Sequence, residues 1–351
     1  MNSIRTLIIL PLAFLLAFCS GDKKDEAKDG VQDSTKISIE NTVSRPKSKE
    51  ILSLKYKINP GEIIKYRLIV DTDNTQKIKA DSVITQKMKQ RVDHFIEVKG
   101  LKNDDKKGSS DIQFKITGIN IDAEVGGEKY TYKSGQTLDE KGKMLFGQYE
   151  MLMNVPVTIK VQSNGEITSI KGSDPILKKL IEMQPAGAPQ PSSEEKANFI
   201  EMMNQEVLKP IAQKVFRLLS DKVVGVDSSW SQTFPTKLGI FNLSNVITST
   251  VTEIAEEEGD KVAKLRVDLG VLSGRDPIPD SGEIKYEFED PEITGDGEIL
   301  FSVTNNRLFS SKTITKVYYK AKMTSKDSEG KTVVIEKEDN TVTVNNIYIT
   351  K

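Results

Sequence analysis

Across 351 residues, 50 Lys and Arg nearly balance 51 Asp and Glu, leaving a formal charge of −1. That balance excludes the basic footprint of a nucleic-acid binder, and a 29% charged, 37% hydrophobic chain of this length can bury a sizeable core. With one cysteine and one histidine, disulfide frameworks and histidine-based metal clusters are excluded too.

Residues 1–18 have the parts of an export signal: Arg5 and the free amine, the apolar run Leu7 to Phe18 broken in character only by Pro11, then charge at Asp22, Lys23, Lys24, Asp25 and Glu26. The run falls short of the roughly 20 apolar residues that a membrane-spanning helix needs. Leu16-Ala17-Phe18-Cys19 resembles the lipobox of bacterial lipoproteins, with Phe18 departing from it where a small residue normally stands. Loose lipoboxes of this kind are similar to those of Bacteroidota and spirochaetes. The resemblance implies cleavage before Cys19, lipid on its sulfur, and the bacterial outer membrane as the address, on its periplasmic or its surface-exposed side. A lone cysteine in an oxidising compartment agrees with a thioether-linked lipid. Residues 19–49 are charged and almost without apolar periodicity, the composition of a disordered tether. Asp22, Asp25 and Glu26 resemble the surface-export signal of Bacteroidota lipoproteins, with lysines interspersed.

The folded part is read as one domain over 50–351. After the turn Asn59-Pro60-Gly61, Ile64, Tyr66, Leu68 and Val70 alternate with polar residues as in a half-buried strand, and Val92, His94, Ile96 and Val98 form a second apolar face that Phe95 interrupts. Ile112, Phe114 and Ile116 change phase to Ile119 and Ile121, which predicts a bulge near Gly118. Val155, Val157, Ile159 and Val161 lead into Asn164-Gly165 and return through Ile167 and Ile170. This spacing predicts a hairpin with both turn residues at positive φ.

Between about 173 and 220 the period becomes helical. Ser173-Asp174-Pro175 opens one helix, and Ser192 and Glu195 have capping-box spacing at the start of another. The second helix carries the stripe Ile200, Met203, Val207, Ile211, Val215 and Leu218, with Pro210 expected to kink or split it. Alternating strands then resume: Ala263 to Leu269, Ile284 to Phe288, Ile299 to Val303, Val317 to Met323 and Val342 to Ile349. The fold class is therefore α+β, mainly antiparallel β, with a helical insert packed on a long sheet.

The signal, the Pro60-Gly61 opening before Tyr66, the Gly165 and Gly172 segment entering a helix, and Asp227 to Trp230 before a new strand are similar to a family of uncharacterised bacterial lipoproteins, a domain of unknown function. A long curved antiparallel sheet on helices also resembles the half-barrel lipoprotein carriers that shelter acyl chains. That likeness implies a non-catalytic protein with a lipid or other hydrophobic ligand between sheet and helices, lined by Ile200, Met203, Val207, Ile211 and Val215. The alternative is a structural protein that docks another envelope component.

Signals for chemistry are sparse. His94 shares a face with Val92, Ile96 and Val98, the setting of a partly buried histidine with a satisfied hydrogen bond, and no G-x-S-x-G elbow presents a nucleophile. Asp276, Asp280 and Glu283, and Asp290, Glu292, Asp296 and Glu298, cluster without the spacing of a calcium loop. Gly295-Asp296-Gly297 lacks the third glycine of a dinucleotide fingerprint and opens a strand. No cofactor and no metal are expected, and a carboxylate-based hydrolase is the distant third reading. Cys19→Ala is expected to yield an unacylated, soluble protein, whereas the intact mass of the wild-type chain should include acyl groups on Cys19; a free Cys19 thiol there would refute the lipid anchor.

Overall fold

The computed structural model describes residues 38–40, 50–184, 190–238, 240–257, 259–276, 285–326 and 330–350. Cys19 and most of the expected tether therefore lie outside the described residues. Long, largely antiparallel β-structure dominates, with a small set of helices in mid-chain.

The strands are β1 Ser38–Glu40, β2 Ile63–Lys79, β3 Val83–Asp104, β4 Ser109–Val125, β5 Glu128–Lys133, β6 Val157–Gln162, β7 Ile167–Lys171, β8 Ser229–Leu238, β9 Phe241–Glu257, β10 Asp260–Arg275, β11 Lys285–Phe288, β12 Glu292–Ser302, β13 Arg307–Lys326 and β14 Thr332–Thr350. They join into one sheet in the order β1-β8-β9-β10-β12-β13-β14-β2-β3-β4-β6-β7, with β5 on β4 and β11 on β13. Two meanders flank the helices in sequence, and the β14–β2 ladder, from Glu336↔Lys79 to Thr350↔Lys65, unites them. β1 falls inside the stretch expected to be a disordered spacer. It pairs with Ser231 to Thr233, covering unsatisfied backbone groups that an edge strand exposes.

One face of the sheet carries the core, and a strap outside the ladders closes it. Leu52, Leu54, Tyr56 and Ile58 are buried in alternation, each within the hydrophobic cluster. Leu52 exchanges backbone hydrogen bonds with Val224 (2.7 and 2.8 Å), while the Tyr56 amide donates to Ser163 O (2.7 Å) and the Lys57 amide to Asn306 O (3.1 Å). The Tyr56 ring meets Phe216 and Phe301 edge-on, at 5.3 and 5.2 Å. Its hydroxyl donates to Val215 O (3.2 Å) and accepts from the Arg217 amide (2.9 Å).

This strap fixes the curvature of the sheet. Val224 precedes β8 and Ser163 follows β6, strands nine steps apart in the sheet order. At about 4.8 Å per step a flat sheet would hold them about 43 Å apart. Both are instead hydrogen-bonded by a strap segment that runs only from Leu52 to Tyr56, at most about 14 Å when extended. At the strap end, the base, the sheet must curl around the core, so the core face is the concave one.

The helices are α1 Glu140–Glu150, α2 Asp174–Met183, α3 Ser193–Met202 and α4 Lys209–Val215, with a π-helical turn at Met203–Leu208 between α3 and α4. The capping box at Ser192 and Glu195 forms with both of its hydrogen bonds. Ser173 precedes α2 without a capping bond and donates its hydroxyl to Asn204 Oδ1 (2.8 Å) in the interior. α1 and β5 have no counterpart in the sequence reading. Gly142 and Gly147 weaken the helical signal of α1, whose start is fixed by Asp139 accepting from the Gly142 amide (2.7 Å).

Two expected turns resolve differently. The phase change in β4 is a bulge, with Phe95 opposite Gly118 and Ile96 opposite Ile116. A Cβ on Gly118 would lie 3.0 Å from the Phe95 ring. The Asn164-Gly165 hairpin is not a two-residue turn with both residues at positive φ: only Gly165 is left-handed, at φ +89°. Asn164 is buried; its side chain accepts from the Glu166 amide (3.0 Å) and its carbonyl from the Leu219 amide (2.8 Å). The turn is shaped by docking onto the post-helix segment as well as by its own strands.

A Cβ at Gly165 would sit 2.3 Å from Arg217 O and 2.9 Å from the Tyr56 ring, whereas one at Gly126, also left-handed at φ +59°, would meet nothing within 4 Å. Gly165→Ala is therefore expected to lower stability by about 2–4 kcal/mol and Gly126→Ala by about 1 kcal/mol in urea unfolding. Equal losses at both sites would contradict the docked-turn account.

Candidate functional site

The helical stripe expected to line a ligand cavity belongs to the core layer. Met203, Val207 and Val215 are buried in the hydrophobic cluster, Ile211 is partly buried against it, and Ile200 is half-buried. The π-helical turn changes which residues face inward. Its extra residue rotates α4, so Leu208 and Ala212 are buried beside Val215 while Ile211 is only partly buried; Phe216 and Leu219, also buried, lie past the end of α4. Pro210 falls just after this turn, at the start of α4.

Above the core the concave face changes character. The inward positions of β2 continue as Thr72, Asn74 and Gln76, beside Thr343, Thr341 and Asp339 of β14. Asp339 is only 2% exposed. Its carboxylate accepts from Asn74 (2.7 Å), Gln76 (3.1 Å) and Thr341 (3.1 Å), and Lys337 lies 3.9 Å away. Burial first, then Asp339 next to it, raises the pKa of Tyr319 on the facing strand β13. This is a satisfied polar band, the condition under which polar groups are tolerated in an interior.

Beyond the band, at the end of the sheet away from the strap, inward positions become apolar again around Lys337, which register sets between Ile78 and Ala321. Register places Phe288 beside Ala321, Tyr286 beside Met323, Met323 beside Ile335, and Ile78 beside Ile84. Ile84 is 61% and Tyr286 38% exposed, and Ile78, Phe288, Met323 and Ile335 are half-buried. Tyr286 and Phe288 stack at 6.1 Å, and Phe288 meets Phe241 edge-on. The concave face thus has three zones from base to open end: a packed core, a polar band and an apolar strip.

Clefts also lie elsewhere among the described residues. One of about 490 Å³ opens on the convex face among Asp71, Asp73, Lys89, Arg91, Asp122 and Glu124, where Arg91 pairs with Asp71 (3.8 Å) and Lys89 with Asp73 (3.9 Å). Another, about 630 Å³, separates β5 from α1. The acidic runs do not converge: Glu298 pairs with Lys264 (3.0 Å), Asp290 with Arg275 (3.8 Å) and Asp276 with Lys237 (3.2 Å), while Asp280 and Glu283 lie outside the described residues. Among the described residues, no group of three or more His, Cys, Asp or Glu side chains is arranged to hold a metal ion. Gly295 and Gly297 serve close packing of strands, since a Cβ on Gly297 would come within 2.4 Å of Lys312 O on β13.

The sequence profile of a family of unknown function (DUF6263) matches residues 107–267, from the turn before β4 into β10. No curated protein matches the chain. Among solved structures it is similar to lipovitellin, described for its lipid–protein interactions, at 13% identity and a TM-score of 0.41 over 84% of this chain and 26% of that one. The chain thus spans about a quarter of lipovitellin's length. It is also similar to an outer-membrane channel of Pseudomonas putida F1 (9% identity, TM-score 0.18, 84% of this chain and 98% of that one). Pseudomonas aeruginosa OccK2 in complex with glucuronate matches at 5% identity and a TM-score of 0.19 over 82% of this chain and 97% of that one.

His94 sits where the core meets the polar band. It is 5% exposed and, as expected from sequence, holds a hydrogen bond, here with the Leu68 backbone, while its Nδ1 is left without a partner. Burial, and next the Lys214 ammonium reaching in from α4 to Asn345 (2.8 Å), lower its pKa from 6.5 to about 4, against the opposing pull of the Leu68 backbone and Asp93. The folded protein therefore keeps His94 neutral while the unfolded chain takes up a proton below about pH 6.5. The stability this provides is complete above that pH and is lost as pH falls toward 4, by about 3 kcal/mol. The difference in unfolding free energy between wild type and His94→Leu is expected to shift by that amount between pH 7.5 and 4, and a pH-independent difference would refute the neutral-histidine assignment.

Proposed function

We propose that the chain is a non-catalytic outer-membrane lipoprotein, anchored through Cys19, that holds a lipid-like amphiphile on the open end of its concave face. The observation that carries this reading is the apolar strip of Ile78, Ile84, Met323, Ile335, Tyr286 and Phe288, exposed or half-buried on neighbouring strands beyond the packed core. Contiguous apolar surface of this kind is where soluble proteins receive apolar partners.

The polar band beside the strip favours an amphiphile over a plain hydrocarbon. Acyl chains would lie along the strip, and a polar head would lie toward the half-buried amides of Asn74 and Gln76 at the edge of the band. In this reading the ligand lies above the core, of which Met203, Val207 and Val215 are buried members. Burying a methylene contributes about 0.8 kcal/mol, so affinity is expected to rise with acyl-chain length.

Native mass spectrometry of the purified chain is expected to detect a co-purifying lipid. Ile84→Asp combined with Met323→Asp, two sites outside the core cluster, should lower its occupancy at least tenfold with little change in melting temperature. Wild-type protein free of lipid, and unable to bind added phospholipid, would overturn the reading.

A further inference from the structure

Near the open end of the sheet, charge is arranged in cross-strand rows, and one side chain breaks the arrangement. On the outward face Glu287, Lys322, Glu336 and Lys79 stand side by side in register on β11, β13, β14 and β2. Their signs alternate, with Lys322 at 3.3 Å from Glu287 and Lys79 at 3.5 Å from Glu336. The adjacent row, on the concave face, runs Phe288, Ala321, Lys337, Ile78 and Ile84 across β11, β13, β14, β2 and β3. Lys337 is the single charge in this row, and both of its cross-strand neighbours are aliphatic. Opposite charges that face each other across strands stabilise a sheet. A charge set in an apolar row has to find its counter-charge elsewhere.

The groups around Lys337 meet that need only in part. Asp339, two residues along β14, lies 3.9 Å from the ammonium, beyond hydrogen-bond reach, and its carboxylate already accepts from Asn74, Gln76 and Thr341. Tyr319 bonds Lys337 through its hydroxyl, with the ammonium 5.7 Å from its ring centroid. Arg275, set beside Phe241 by register, is engaged by Phe288 O (2.8 Å) and Asp290 (3.8 Å). An ammonium has three donors, and the Lys337 side chain is 37% exposed, so part of it faces the space over the strip. We infer that the amphiphile held on the strip is a long-chain carboxylate whose head pairs with Lys337, its acyl chain lying over the apolar residues beside it. This rests on the lipid-holding reading above and adds the class of ligand and the residue that selects it. One ammonium balances one negative charge, and the Asp339 carboxylate beside it repels a second, which favours a carboxylate over a phosphate monoester. As the chain covers the strip and excludes water, the charge-assisted bond at the head gains strength.

The test compares two fluorescent probes of equal chain length, cis-parinaric acid and its methyl ester, titrated into the full chain carrying Cys19→Ala so that no anchor lipid competes. The acid is expected to bind about tenfold more tightly than the ester, the contribution of one charge-assisted hydrogen bond. Lys337→Gln should bring the acid down to the affinity of the ester, and Lys337→Arg should keep the preference. Lys337→Met combined with Asp339→Asn removes both charges together and gives the same readout where the single variant does not fold. Equal affinities for acid and ester before substitution, or a preference that survives loss of the Lys337 ammonium, would overturn the assignment. Dodecyl phosphate displacing the acid about tenfold better than laurate would overturn the carboxylate. In each of these cases, ester binding that falls with Ile84→Asp and Met323→Asp leaves the lipid-holding strip standing. If neither probe binds, the strip and the Lys337 assignment fall together.

Discussion

The curl of the sheet depends on the strap at Leu52 to Ile58. A sheet of long strands twists by itself, but twist alone does not bring strands at opposite ends of the order together. Here one short extended segment is hydrogen-bonded to the approach to β8, to the turn after β6 and to the turn between β12 and β13. Tyr56 is central to it because its hydroxyl satisfies two backbone groups of the segment leaving α4, while its ring packs between Phe216 and Phe301. Burial raises the phenol pKa far above its ordinary value, so this contact is neutral across the physiological range. The concave face and the polar band above it follow from that closure.

Charge is handled differently on the two faces. The convex face carries cross-strand pairs such as Lys115 with Glu97 (2.8 Å) and Lys160 with Asp111 (2.7 Å). Such partly exposed pairs add little stability each, but they keep long strands soluble and discourage slippage. On the concave face charge is surrounded at Asp339 and reaches in from a helix at Lys214. Arg67 marks the boundary: it bonds Asp93 on the convex face and lies over the Phe95 ring, next to the bulge that re-aims β4.

The strand cores were legible because their apolar residues alternate. Ile64 to Val70, Val92 to Val98 and Ile112 to Ile121 face the core as expected, and even the bulge at Gly118 was announced by its change of phase. The outer halves of the same strands were not legible. Thr72, Asn74 and Gln76 occupy inward positions but are polar, so periodicity in hydrophobicity stops while the ladder continues. The strap was partly visible as Leu52, Leu54, Tyr56 and Ile58, but alternation cannot tell a ladder strand from an extended segment bonded only at intervals. Of the helical stripe, Met203, Val207 and Val215 face the core, while the extra residue of the π-helical turn brings Ala212 inward in place of Ile211, and Leu218 lies past the end of α4. The apolar strip escaped notice because it combines residues from β2, β3, β11, β13 and β14, each unremarkable in its own segment.

The pairing of β14 with β2 has a consequence for how the molecule is made. The last long strand of the chain zips onto the first, along a ladder that begins at Thr350↔Lys65. Neither meander can close its shared edge until β2 and β14 meet. Contacts this distant in sequence are slow to form, so until then each half presents a long open edge, the state most prone to pairing with the wrong chain. Assembly is thus a race between the arrival of β14 and capture of the waiting β2 edge by another strand.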